Sequence, residues 1–335
     1  MMNNLDEVKE LLSLPKKIVI TTHRKPDGDA MGSSLGLYHY LTKLNHVVQV
    51  VTPTDYASFL HWLPGNDEVI NYNAKKVAGD KAVDEADMVF CLDFNAIGRI
   101  EDLGDKIVSS KATILMIDHH TYPEDFAKYM YSDASASSTC EMVYKFIDAL
   151  GNANLVDKDT ATCLYTGLIT DTGRFKHSLT QDVFDVAGNL VAKGANFERV
   201  NSEVFDSYKE SRLRFFGYSI YKKLVVLPEF KAAYIAISHA DILKYKIITG
   251  DTEGLVNYPL SIKTVNLAAL IIDRGPMVKL SLRSKGDFPT NHMANKYFSG
   301  GGHLNASGGT SDVDLQGTID KFLQILPEYK DQLNF

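Results

Sequence analysis

The feature that most restricts this chain is an alternation through its first half: short apolar runs at 17–22, 46–51, 87–92 and 112–117 take turns with stretches of helical periodicity. Strands joined by helix-length connections return parallel to one another, so the pattern predicts βαβ units and a parallel sheet. Between the first two strands, 30–44 reads as a helix whose Gly32, Ser33, Ser34 and Gly36 are small enough to pack closely on that sheet. Helices follow at 138–150, 158–170 and 181–192, the last closed by Gly194 as a C-terminal cap. A doubly wound α/β domain is the expected architecture of this half.

With 335 residues the chain exceeds what one hydrophobic core usually organises. The second half carries strand patterns at 231–238, 265–273 and 278–284, with helices near Ala240 and Pro259 and at 289–297 and 315–326, which predicts a smaller C-terminal α+β domain. The division drawn from these patterns is a first domain at 1–195, a polar amphipathic linker at 196–211 and a second domain at 212–335.

Net charge and cysteine usage narrow the function classes. A net charge of -7 argues against wrapping long nucleic acid, which calls for a basic face that neutralises many phosphates. Any nucleic-acid partner would have to be short. No run approaches the roughly 20 apolar residues of a membrane span, and the N-terminus is polar and acidic, so a cytoplasmic protein without a membrane partner is expected. Cys91, Cys140 and Cys163 are scattered and form no pair suited to a disulfide or zinc site.

The chemistry is concentrated where strands end. His23-Arg24-Lys25-Pro26-Asp27-Gly28-Asp29-Ala30 follows the first strand and opens the next helix. It puts an imidazole and two carboxylates at the carboxyl end of a parallel strand, where open α/β sheets carry their sites. Standing alone, the motif also fits an Asp-Gly turn with Asp29 as a helix cap. The next two strands end in the same way, in Asp93 and in Asp118-His119-His120. Carboxylates at three successive strand ends need cations to offset them, and oxygen and imidazole donors suit Mn²⁺ or Mg²⁺ better than a thiolate-seeking ion. Asp171, after the apolar stretch 164–169, is a fourth candidate that by itself also reads as a helix end.

The order His-x-x-x-Asp-x-Asp, strand-terminal Asp, Asp-His-His and Asp-Thr-Gly resembles the motifs of the DHH phosphoesterases. Leu282-Arg283-Ser284, followed by Gly300-Gly301-Gly302-His303-Leu304-Asn305-Ala306-Ser307-Gly308, resembles their DHH-associated C-terminal domain. The two-domain length is most similar to the nanoRNases, bifunctional oligoribonucleases that also remove the 3′-phosphate from 3′-phosphoadenosine 5′-phosphate. The resemblance implies an active site in the cleft between the domains and two Mn²⁺ ions, with Mg²⁺ as the alternative. One ion would be held by His23, Asp27 and Asp93, the other by Asp29, Asp93, His119 and Asp171. Asp93 would bridge the pair across roughly 3.5 to 4 Å, with a shared water as nucleophile. Asp118 would orient its neighbours, and His120 would stabilise the phosphoryl oxygens or assist the leaving oxygen. Arg283 suits a bidentate phosphate contact, Gly300, Gly301 and Gly302 let main-chain N–H groups approach an anion, and His303 follows them. One departure is Leu304, where the family often has proline.

Arg99 could reach a phosphate or equally remain a solvated loop residue. Arg24, Lys25, Arg174 and His177 are candidate rim contacts, while Trp62, His39 and His292 read as packing or surface positions. The expected substrates are short oligoribonucleotides, cut to 5′-mononucleotides, and nucleotide 3′-phosphates; a homodimer is left open. The alternatives are a phosphodiesterase for cyclic or linear dinucleotides and, less favoured, an inorganic pyrophosphatase, which shares the first-domain motifs but not Arg283 with Gly300 to His303. A nucleotide-binding protein that has lost catalysis is disfavoured because every ligand position is intact. A dinucleotide-dependent oxidoreductase is disfavoured because no Gly-x-Gly-x-x-Gly opens the first helix.

Overall fold

A computed structural model describes residues 4–248 and 250–334. The chain forms two compact units, Met1–Ser207 and Tyr208–Phe335. In the first, α1 (Leu5–Leu11) leads into β1 (Lys17–Thr22), α2 (Gly28–Lys43), β2 (Val47–Thr52), β3 (Ile70–Asn71), α3 (Lys76–Asp84), β4 (Met88–Leu92), α4 (Asp102–Val108), β5 (Thr113–Asp118) and β6 (Tyr129–Ser132). Four helices follow, α5 (Thr139–Ala149), α6 (Lys158–Asp171), α7 (Gln181–Ala192) and α8 (Phe197–Phe205).

The six strands make one parallel sheet in the order β3-β2-β1-β4-β5-β6. Beyond Lys17, β1 and β4 bury every residue. Helices cover both faces of such a sheet, which is why its strands read as continuous apolar runs rather than alternating ones. Ile18, Ile20, Phe90 and Leu92 pack on one side with Met31, Leu35 and Leu164, and Val19, Val89 and Cys91 on the other with Ile100 and Leu103. Strand order reverses between β1 and β4, and at such a switch point a crevice opens outside the carboxyl ends of the strands.

Gly32 and Gly36 meet α6, not the sheet. A β-carbon on Gly32 would fall 2.5 Å from the Cys163 carbonyl oxygen, and one on Gly36 would fall 2.5 Å from the Leu164 side chain. Glycine on one helix therefore lets the two backbones close together. The start of α2 then lies against the end of α6, where a β-carbon on Gly167 would sit 2.8 Å from the Asp29 Cα. The segment 196–211, read as a linker, is largely α8, whose Val200 and Val204 are buried in the first core. Its amphipathic pattern belongs to a helix with one face packed on the first core.

The second unit contains α9 (Glu210–Tyr218), β7 (Leu224–Leu227), β8 (Ala232–Ile237), α10 (His239–Tyr245), α11 (Asn257–Leu260), β9 (Leu267–Asp273), β10 (Val278–Ser284), α12 (Thr290–Tyr297), β11 (Gly301–Gly302), β12 (Ala306–Ser311) and α13 (Leu315–Ile325). Its mixed sheet runs β11-β12-β10-β9-β8-β7, with only the β8–β9 pair parallel. Among the described residues no helix is long and apolar enough to cross a membrane.

Candidate metal centre

Asp93 is the residue around which the others are arranged. It follows β4 with a φ of 65°, in the left-handed region that Asp tolerates better than most residues, and its amide donates to the Ile117 carbonyl of β5. The carboxylate is buried, with Oδ2 3.4 Å from Nε2 of His23 and Oδ1 3.4 Å from Nε2 of His119. Its two oxygens thus face two different imidazoles.

On one side stand His23 and Asp27. Nδ1 of His23 donates to the Arg24 carbonyl at 2.8 Å; because a carbonyl only accepts, this turns Nε2 toward the carboxylates. Asp27 caps α2, its Oδ1 accepting from the amides of Asp29 and Ala30, and its Oδ2 lies 3.7 Å from His23 Nε2. Burial would hold the His23 pKa down, but Asp27 and Asp93 outweigh it and raise it to about 10. A proton and a cation compete for the same position beside Nε2.

On the other side stand Asp29, His119 and Asp171. Asp29 is fully buried, and its Oδ2 and Oδ1 accept from the amides of Thr139 at 2.6 Å and Cys140 at 2.8 Å. These are the first residues of α5, whose start is capped by Ser138; a helix N-terminus favours negative charge. The Thr139 hydroxyl donates to Asp93 Oδ1 at 3.0 Å, tying both carboxylates to one helical turn. His119 Nε2 is 3.3 Å from Asp171 Oδ2 and 3.8 Å from Asp29 Oδ2, while its Nδ1 faces the Ala136 carbonyl at 3.4 Å. Burial, reinforced by the charge of Asp93, raises the Asp29 pKa to about 8. Burial and the charge of Asp29 push Asp171 well up.

The donor set fits divalent cations. Donor atoms of His23, Asp27 and Asp93 lie within 4.8 Å of one another, as do those of Asp29, His119 and Asp171. The N···O separations of 3.3 to 3.8 Å are longer than those of a well-made N–H···O hydrogen bond. They are close to the roughly 3 to 3.5 Å expected between donors about 2.1 Å from a shared ion.

Asp118 holds His120 at two points. Its Oδ1 accepts from Nδ1 of that ring at 2.7 Å and its Oδ2 from the His120 amide at 3.1 Å. Arg99 lies in a short turn, Ile97–Ile100, and its carbonyl accepts the Arg24 amide beside His23. Arg24 pairs with Glu101, and Arg174 pairs with Asp206 while lying over the Phe205 ring.

In the second unit Arg283 sits on β10 directly opposite Ala306 of β12, with Nη1 donating to the Leu282 carbonyl. The glycine run is not an open loop. Gly301 and Gly302 form β11 against β12, and a β-carbon on Gly302, whose φ is 136°, would fall 2.6 Å from the Ala306 oxygen. Glycine is required there for strand to close on strand. The His303 amide donates to the Ala306 carbonyl at 2.8 Å, so a tight turn returns the chain beside Arg283. In that turn the Leu304 carbonyl accepts both the amide and the hydroxyl of Thr290.

Sequence reasoning missed Thr139, the Cys140 amide and the Ala136 carbonyl. The available signal was Ser138-Thr139-Cys140-Glu141, a Ser-x-x-Glu signature of a helix start, in which the Glu141 amide donates to Ser138 Oγ at 3.1 Å.

A parallel sheet whose switch point gathers two carboxylate–imidazole groups about one shared aspartate defines a class of α/β proteins with a centre suited to paired divalent cations. The chain belongs to the DHH family: the family's N-terminal domain matches residues 17–168 and the DHHA1 domain matches residues 231–330. It is similar to the bifunctional oligoribonuclease and PAP phosphatase NrnA of Bacillus subtilis, 28% identical over 90% of this chain and 91% of the relative. It is also similar to the probable NrnA of Streptococcus mutans, 30% identical over 88% of this chain and 89% of that one. A solved exopolyphosphatase-related protein from Bacteroides fragilis is 39% identical, with a TM-score of 0.95 over 99% of this chain and 97% of the other. The chain is a phosphoester hydrolase.

Proposed function

We propose that the protein hydrolyses short oligoribonucleotides to 5′-mononucleotides and removes the 3′-phosphate of 3′-phosphoadenosine 5′-phosphate, with Mn²⁺ or Mg²⁺ as cofactor. The observation that carries this is Asp93, whose two carboxylate oxygens each face a separate imidazole–carboxylate group; the NrnA relatives support the choice of substrate. His23, Asp27 and Asp93 would hold one ion, and Asp29, Asp93, His119 and Asp171 the other. Such a pair, when bound, acidifies water and neutralises charge that develops on phosphoryl oxygens.

The chain's own groups supply the rest. The α5 amides fix both Asp29 oxygens, and the Thr139 hydroxyl fixes Asp93. Asp118 holds Nδ1–H of His120, which makes Nε2 the ring atom that exchanges a proton with the departing oxygen. Arg283 and His303 contact the nucleotide's far phosphate or base, aided by the amides of Gly300, Gly301 and Gly302, and Arg99 is a further phosphate contact.

The test is a substrate panel with product identification, run with Mn²⁺, with Mg²⁺ and with EDTA. The expected products are 5′-AMP from 5′-pApA, and AMP plus phosphate from the bisphosphate, lost in EDTA and restored by either ion. Rapid pyrophosphate hydrolysis without action on either nucleotide would replace this function with a pyrophosphatase, and a strong preference for cyclic dinucleotides would replace it with a phosphodiesterase.

A further inference from the structure

The loop that leaves the Asp118-His119-His120 motif carries an aromatic ring that does nothing for the fold. Tyr122 is 85% exposed and stands two residues after His120, a stretch that spans at most about 7 Å. Its φ of 59° is left-handed, which is uncommon for a bulky residue and further restricted by the following Pro123. The conformation is held from both sides. Asn95 Nδ2 donates to the Thr121 carbonyl at 2.8 Å, the Glu124 amide donates to the Asn95 carbonyl at 2.7 Å, and the Ile97 amide donates to the Glu124 carboxylate at 3.0 Å. All the bracing comes from the segment directly after Asp93.

A strained backbone is usually offset by burying what it carries, whereas here it presents the ring to solvent. Strain held rigidly next to a reactive centre is a mark of functional positions. The loop from Thr121 to Asp125 contributes two carboxylates, Glu124 and Asp125, and no cation, so it repels phosphate and leaves an uncharged, flat group as the fitting occupant. A nucleobase is such a group, and stacking on an aromatic ring accepts any base because each has a π face.

We propose that Tyr122 is the stacking platform for the nucleobase next to the scissile phosphate, an assignment that rests on the nucleotide-hydrolase function above. The full-length wild type, Tyr122→Ala and Tyr122→Phe are compared in steady-state hydrolysis of 5′-pApA and of the matching dinucleotide that lacks one base. Tyr122→Ala raises KM for 5′-pApA by about 5- to 150-fold with kcat little changed, Tyr122→Phe restores it, and the abasic substrate does not distinguish the three proteins. An unchanged KM in Tyr122→Ala, a loss confined to kcat, or a Phe variant as poor as Ala overturns the assignment. A wild type that hydrolyses other phosphoesters but neither nucleotide overturns the substrate class instead, and this assignment with it.

Discussion

Replacing Thr139 with Val tests whether the start of α5 organises the candidate metal centre. The substitution keeps the β-branched shape and the backbone amide that donates to Asp29, and it removes one bond, from the Thr139 hydroxyl to Asp93 Oδ1 at 3.0 Å. Asp93 is 2% exposed, so water does not readily take the place of the lost donor. A hydrogen bond to a charged group is worth about 1.5 to 3 kcal/mol, or roughly 10- to 150-fold, and partners that orient metal-binding groups typically contribute about 10- to 100-fold in metal affinity. Calorimetric titration of the metal-free protein with Mn²⁺ should therefore show one or both sites weakened by about 10- to 100-fold, with the far-UV circular dichroism unchanged. Thr139→Ser, which keeps the hydroxyl, should bind like the wild type. Wild-type Mn²⁺ affinity in Thr139→Val would refute the role given to the hydroxyl, and an equal loss in the Ser variant would show that side-chain shape, not the hydrogen bond, is what matters.

Metal analysis should separate the two histidines: His119→Ala loses bound metal, whereas His120→Ala and Asp118→Asn keep it and lose kcat, since Asp118 bonds both the ring and the amide of His120. Gly32→Ala drives a β-carbon toward the Cys163 carbonyl and should cost about 1 to 3 kcal/mol as overpacking, read as a lower Tm. In the second unit, burial works against ionisation of Asp241, but bonds from Ser238, Lys223 and Tyr218 prevail and hold its pKa at about 2. A carboxyl depressed on folding stabilises above its unfolded pKa and loses that stability as pH falls through the folded one. Denaturant unfolding should therefore lose about 1 to 2 kcal/mol from this group between about pH 4 and pH 2, a slope that Asp241→Asn flattens.

The candidate ligands could be picked out because each stands at the end of an element whose own pattern is local. Strands β1, β4 and β5 are buried on both faces, so apolar runs located them within a residue, and the first polar residue after each run was a candidate at once. Strand β6, Tyr-Met-Tyr-Ser, and the two-residue β3 carry no such run and went unread. What supports the candidate ligands is not local. Asp29 depends on amides from a helix more than a hundred positions away, and Gly32 and Gly36 require α6 as their partner, so the small-residue pattern announced close packing without saying against what. The glycine run at Gly300 to Gly302 shows the same ambiguity, since freedom of the backbone and room for a neighbouring strand ask for the same residue.

Tyr122 is the opposite case, because Thr-Tyr-Pro-Glu reads locally as an unremarkable turn. Only its left-handed φ, its exposure and the three bonds that hold the loop show that the conformation is imposed from outside. The same segment after β4 that carries Asp93 also braces this loop through Asn95 and Ile97. A change at Asn95 should therefore alter the position of Tyr122 without touching a candidate metal ligand. Asn95→Ala is expected to reproduce the KM effect of Tyr122→Ala on 5′-pApA while Mn²⁺ titration stays at wild-type affinity. If instead it weakens metal binding, the segment acts through Asp93 and the loop is a consequence of the centre rather than an addition to it.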